Sequence, residues 1–301
     1  VCLLSGGVGG ARLARGLDDA LPPGDLTVIG NVGDDVEVLG LHVSPDLDSL
    51  LYALAGLHDE ERGWGRAGET WEALASAAAW GGEAWFRLGD RDIGLHLVRT
   101  EALRAGVPLS VVTERLCAAA GLATRIVPAT DDRLRTHVVT PAGTFPFQEW
   151  FVARGHRDEV DEVVVEGAQA ATPAAGALEA LAEADVVVIA PSNPYVSIGP
   201  ILAVGALRAA LSARGAPCVA VSPLVGGRAV KGPADRMLSR MAGGTTPRAL
   251  AGLYAGLIDV LVIDESDHPA AAGVRVVATD TLMTDRAAAR RLAETTLEAA
   301  T

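Results

Sequence analysis

Short unbroken apolar runs recur along the chain, separated by longer stretches in which apolar residues return every three or four positions. The runs fall at 1–5, 26–31, 124–129, 160–165, 185–190, 217–222, 259–264 and 274–278. Most are Val, Ile and Leu without polar alternation, the pattern of strands buried on both faces of a parallel sheet. Helical periodicity covers 10–20, 46–57, 69–80, 92–105, 110–120, 174–184, 198–214, 246–257 and 284–299. Pro173 and Pro247 stand at early helix positions, and Gly121 and Gly215 just past helix ends. The alternation predicts an α/β fold, a Rossmann-like and mostly parallel sheet with helices on both faces. It reads as a single α/β domain over 1–301. Residues 45–122, nearly all helical, read as an insertion after the second strand that caps the sheet. Residues 134–152 read as a hairpin around Pro141-Ala142-Gly143, and 58–69 as a mobile charged loop.

Composition narrows the partners. Half of the 301 residues are hydrophobic, ample for a core, and the net charge is −13. Such a charge argues against nucleic acid or an anionic membrane as partner. Cys2, Cys117 and Cys218 are odd in number and far apart, which suits neither a disulfide framework nor a zinc site and points to a reducing, cytoplasmic setting. No apolar run reaches membrane-spanning length, and no charged-then-apolar leader opens the sequence. Apolar Ala/Leu helices would permit a homodimer.

The first strand runs into Ser5-Gly6-Gly7-Val8-Gly9-Gly10 and then a helix. Backbone without Cβ atoms turns sharply and approaches a ligand closely, and free N–H groups at a helix N-terminus attract an anion. No Lys-Ser or Lys-Thr follows, so this is no P-loop. Gly7 and Gly9 match the dinucleotide fingerprint, but its third glycine is Arg12, and Asn31 stands where an acid should close the second strand. The loop reads as a phosphate site of neither type, or else as a tight packing turn. An acidic protein that binds phosphates must neutralise them locally.

Carboxylates follow at once. Asp34-Asp35 and Asp46-x-Asp48 flank a loop at the end of the second strand, where open α/β sheets bind ligands. Clustered acids of this kind favour a divalent cation, Mg²⁺ above all where phosphates complete the shell. The alternative is capping: Asp46 suits a helix N-cap, and Asp48 the first turn. "GDRDIGLHLVRT" offers Asp90, Arg91, Asp92, His96 and Arg99, which could equally be a solvated, ion-paired helix face. "PSNPYVSIGP" ends the 185–190 strand with Ser192, Asn193 and Ser197, a second anion site or a plain cap. "SPLVGGRAVKGPAD" follows the next strand with Arg228 and Lys231.

Taken together, "GGVGGAR", "NVGDD", "SPDLDSLLYALAG", "RGWGRAGETW", "WFRLGDRDIGLHLVRT", "FQEWFV", "PSNPYVSIGPIL" and "SPLVGG…KGPAD" resemble, in order and over nearly the whole chain, the 2-phospho-L-lactate transferases of deazaflavin coenzyme (F420) biosynthesis. The first and fourth are most similar to the actinobacterial branch, called phosphoenolpyruvate transferases. Ser44 and Ser49 depart from the Cys and Thr usual there. The resemblance implies transfer of a phosphoenolpyruvyl or 2-phospho-L-lactyl group from a guanosine diphosphate-linked donor to the ribityl hydroxyl of the deazaflavin Fo, releasing GMP. It implies Asp48 and Asp35 as catalytic acids, and Asp35, Asp46 and Asp48 as holders of Mg²⁺. Asp48, Asp90, Arg91 and His96 would meet Fo. Gly6, Gly7, Gly9, Gly10, Arg12, Ser192, Asn193 and Ser197 would meet the nucleotide. A nucleotide-sugar-binding regulator with the same core is the alternative, but that family lacks the Pro-Asp-Leu-Asp and "GDRD…H…R" elements.

Overall fold

The computed structural model describes residues 1–268 and 273–301. The first half of the chain runs β1 (Cys2–Ser5), α1 (Gly7–Ala20), β2 (Thr27–Gly30), β3 (Val36–Val38), β4 (Leu41–Val43), α2 (Pro45–Leu54), α3 (Glu72–Ala79), α4 (Asp90–Arg104), α5 (Leu109–Ala119) and β5 (Arg125–Pro128). β6 (Arg135–Thr140) and β7 (Gly143–Pro146) then form the expected hairpin, and a π-helical turn, Glu149–Ala153, follows. After β8 (Glu162–Glu166), α6 (Ala177–Ala182) and β9 (Val187–Ile189) comes a second π-helical turn, Pro194–Ile198. The remainder is α7 (Gly199–Ala203), α8 (Gly205–Ala213), β10 (Cys218–Val221), β11 (Leu224–Val225), β12 (Arg228–Ala229), α9 (Ala234–Met241), α10 (Pro247–Leu253), β13 (Val260–Asp264), β14 (Arg275–Thr279) and α11 (Arg286–Glu298).

Seven strands form one sheet in the order β14-β13-β10-β9-β1-β2-β5, every pair parallel. The chain builds outward from β1 through β2 to β5, then returns to β9 on the other side of β1 and builds the opposite way. Right-handed crossovers in opposite directions put helices on both faces. β1, β9 and β10 are buried along their whole length, as unalternating apolar runs require. The switch in direction leaves a crevice between the β1 and β9 carboxyl ends, and both polar loops of interest open there.

Several expectations are corrected. The run at 160–165 is a strand, but β8 pairs antiparallel with β6 in a separate three-stranded sheet. Its residues alternate between exposed and half-buried, so it is a half-covered strand rather than a parallel core strand. The stretch 198–214 is two helices bent by 91°, because Val204 is extended between them. The hairpin β3–β4 was not foreseen; its turn places Leu39 and Gly40 at φ 51° and 74°. Within 45–122, α2 and α5 contribute Leu47, Leu50, Leu109 and Cys117 to the core beneath the main sheet. β3, β4 and the residues leading into α4 enclose a separate small core of Val38, Val43 and Leu88. The three cysteines are buried and unpaired. Among the described residues no single helix is long and apolar enough to cross a membrane.

Candidate functional site

A cavity of about 880 Å³ opens over the crevice, lined by the start of α1, the acids after β2, the loop after β9 and loops from both flanks. The glycines are not one open loop: α1 begins at Gly7, and only Gly7, at φ +68°, needs the left-handed conformation. Gly6, Gly9 and Gly10 are there for close approach. A Cβ on Gly9 would lie 2.7 Å from the Pro191 carbonyl oxygen, and one on Gly6 2.5 Å from Asp46 Oδ2. One on Gly10 would collide with the Ser5 and Ser192 hydroxyls. Close packing alone accounts for these three glycines. The Gly7 N–H donates to Asp46 Oδ1 at 2.8 Å, while among the described residues no acceptor takes the N–H of Val8 or Gly9. Val8 and Gly9 line the same cavity as Arg12, whose Nη1 donates to the Met283 carbonyl and whose Nε is buried without a partner.

The loop after β9 is sewn to the first. Ser192 Oγ donates to the Gly6 carbonyl at 2.6 Å, and Asn193 Oδ1 accepts from the N–H of Tyr195, capping the π-helical turn as the plainer reading held. Ser197, also buried, abuts Gly6 and Gly7.

The acids divide their labour. Asp46 is not an N-cap: it joins Gly7 to Asn31, whose Nδ2 donates to Oδ2 at 2.9 Å. Burial raises its carboxyl to about 6, against those two hydrogen bonds and with the help of Asp35 and Asp48. Asp34, only noted beside Asp35 in the sequence, lines the cavity, is 5 % exposed and keeps Oδ1 without a partner. Burial, then the Asp46 charge, pushes its carboxyl well above the usual range. Asp35 is absent from the lining; its Oδ2 accepts from Ser44 Oγ at 2.9 Å and meets His42 Nε2 at 2.8 Å. Asp48 lines the cavity, but both its oxygens are held by the Arg99 guanidinium. Arg99 is 1 % exposed; burial opposes its charge, and Asp48 more than restores it. Among the described residues no group of three His, Cys, Asp or Glu side chains is gathered as a metal would need. Of the expected Asp35, Asp46 and Asp48, the last two line the cavity together with Asp34, while Asp35 lies off the lining with its Oδ1 also without a partner.

On α4, His96 and Asp92 line the cavity and are buried, contrary to a solvated face. Burial lowers the His96 ring's affinity for a proton, and Tyr52 Oη donates to Asp92 Oδ1 at 2.6 Å. Asp90 and Arg91 lie outside the cavity. Asp90 accepts from the Ala73 N–H at 2.9 Å and so caps α3, and Arg91 is exposed. The aromatic walls were missed. Arg62 lies over the rings of Trp64 and Trp71 at 5.1 and 5.2 Å, and Arg87 over Trp71 at 4.5 Å. Phe151, also in the lining, stacks on Phe147 and on His156. The aromatic residues in "RGWGRAGETW" and "FQEWFV" were the available signal. Within the charged loop expected to be mobile, Asp59 pairs with Arg62, and Lys231 Nζ donates to the Gly63 carbonyl at 3.0 Å.

The family model of the 2-phospho-L-lactate transferase CofD matches residues 1–299. A phosphoenolpyruvate transferase of Streptomyces griseus is 46% identical over 311 residues, covering 100% of this chain and 98% of its own. One of Streptomyces coelicolor is 46% identical over 308 residues, covering 99% and 97%. Among solved structures, a UPF0052 family protein from Bacillus halodurans superposes with a TM-score of 0.67 over 98% of this chain and 99% of its own, at 17% identity, a likeness of fold. With the family matched from end to end and its cavity at the turning point of the sheet, the chain belongs to the 2-phospho-L-lactate transferase CofD family and is a transferase.

Proposed function

We propose that this chain moves a phosphoenolpyruvyl or 2-phospho-L-lactyl group from a guanosine diphosphate-linked donor to the terminal ribityl hydroxyl of the deazaflavin Fo, in coenzyme F420 biosynthesis. The hydroxyl oxygen bonds to the donor's far phosphorus. The bond from that phosphorus to the bridging oxygen breaks, and GMP leaves with that oxygen and its electron pair. The observation that carries the reading is one cavity holding, side by side, the unaccepted N–H groups of Val8 and Gly9 and the carboxylates of Asp34, Asp46 and Asp48. The N–H groups suit a diphosphate at a helix N-terminus. Phosphoryl transfer asks mostly for positioning and charge neutralisation, which such a site provides.

Asp48, fixed by Arg99, is the carboxylate that orients the acceptor hydroxyl and takes its proton. Asp34 and Asp46 fit Mg²⁺: two adjacent buried acids, one with an oxygen lacking any partner, leave room for phosphate oxygens and water in the shell. Bound there, Mg²⁺ would offset the charge growing on the departing GMP. The aromatic walls give the flat deazaflavin ring and the guanine surfaces on which to stack. The test is mass spectrometry of the product formed from Fo and each donor with Mg²⁺. An Fo adduct carrying the donor's phosphoester is expected, and its absence with both donors would refute the assignment.

A further inference from the structure

We infer that Arg12 and Lys231 together form a receptor for one oxyanionic group of the donor, its terminal phosphate or the carboxylate beyond it. The identity of the donor rests on the proposed function; the subsite itself rests on charge. In a chain of net charge −13, arginines such as Arg99, Arg154, Arg240 and Arg286 each hold a carboxylate. Arg12 and Lys231 line the same cavity and pair with no carboxylate among the described residues. Their protein acceptors are neutral carbonyls, of Met283 at 2.9 Å and Gly63 at 3.0 Å, and Arg12 Nε is buried without any. Each cation is a cost to the other: burial, and then the Arg12 charge, lowers the proton affinity of Lys231. His58, with both ring nitrogens unpartnered, is kept short of a proton by burial first and, against the pull of Glu60, by Arg12 and Lys231, so it adds no third positive charge.

Two cations that line one cavity and pair with no carboxylate are satisfied by an incoming anion. The two come from different elements, the helix α1 and the segment after β12, so one oxyanion bridging them would join the nucleotide side of the cavity to the Gly63 loop. The glycine helix already offers N–H groups to the diphosphate, and this pair offers charge, which the N–H groups lack.

Lys231→Gln removes the charge but keeps a donor for the Gly63 carbonyl; Lys231→Arg keeps the charge. Calorimetry with GDP, GMP and phosphoenolpyruvate on the wild type and both variants tests the assignment, thermal melting serving as the check on folding. We expect Lys231→Gln to lose about tenfold in affinity, the worth of one charge-assisted hydrogen bond at a partly exposed site, and Lys231→Arg to lose far less. A loss for GDP but not GMP places the terminal phosphate on the pair. A loss for phosphoenolpyruvate with GDP unchanged places the carboxylate there. Affinities of Lys231→Gln within twofold of wild type for all three overturn the subsite. Wild-type protein that binds phosphoenolpyruvate but not GDP would refute the guanosine donor and leave the subsite standing. Wild-type protein that binds none of the three overturns the subsite.

Discussion

Arg99 grips both carboxylate oxygens of Asp48 from a helix 51 positions further along the chain, and both residues are buried. Removing one partner of such a pair strands the other's charge in the interior, at a typical cost of about 3–5 kcal/mol. Asp48→Asn should therefore lose stability as well as turnover. The double variant Asp48→Asn, Arg99→Met should regain most of the stability and none of the turnover. Urea unfolding and product formation on the wild type and the two variants measure this. Turnover restored in the double variant would remove Asp48 from the chemistry.

The glycines offer a cleaner probe of the nucleotide site than their number suggests. Gly9→Val should destabilise the fold itself, since its Cβ meets backbone at Pro191. Gly7→Ala meets nothing nearer than Ser197 Oγ at 3.6 Å. It should cost only the left-handed backbone penalty, about 1–2 kcal/mol, while weakening GDP. Unchanged GDP affinity in a folded Gly7→Ala protein would move the diphosphate elsewhere.

For the metal, Asp34→Asn should raise the Mg²⁺ concentration needed for half-maximal turnover, and Asp35→Asn should change it much less, because only Asp34 faces the cavity with a free oxygen. Titrating turnover against Mg²⁺ for both variants decides between them. An equal rise in both would return Asp35 to the ligand set.

His96 gives the fold a pH dependence of known sign. Its folded ring binds a proton less readily than the ordinary 6.5, because it is buried. The unfolded chain then takes up more protons as the pH falls through 6.5, so this contribution to stability is present above that pH and lost below it. His96→Gln should lack that loss. Its deficit against wild type should shrink as the pH falls from about 7.5 to about 5.5 in denaturant melts. A constant deficit would mean the ring titrates normally.

Much of this was legible in the sequence because buried parallel strands announce themselves. The runs at 1–5, 26–31, 185–190 and 217–222 need no partner to be recognised, and β1, β2, β9 and β10 lie within them. β8 was assigned to the wrong sheet because three consecutive valines look the same whether one or both faces are covered. The site was legible as a set of loops but not as a set of partners. Asp48 could be seen, yet its engagement by Arg99 depends on how α2 and α4 pack. Asp34 and Asp35 are neighbours of identical type, and only the backbone decides which one faces the cavity. Asp90 and Arg91 belong to the same short stretch as His96, but the start of α4 turns them toward α3 and solvent.

The parallel pairing of β1 with β9 also bears on how late in the chain the molecule can be completed. β1 pairs with β9, Cys2 opposite Val187, so the first strand waits for nearly two-thirds of the chain before its inner edge is filled. Closing so long a loop makes the central pairing a late and slow event. Until then β1 offers an open edge, the kind of surface that chaperones shield and that aggregation exploits. The crevice under the cavity is formed by that seam. A fragment ending before residue 187 would carry every acid named above and still have no pocket in which to use them.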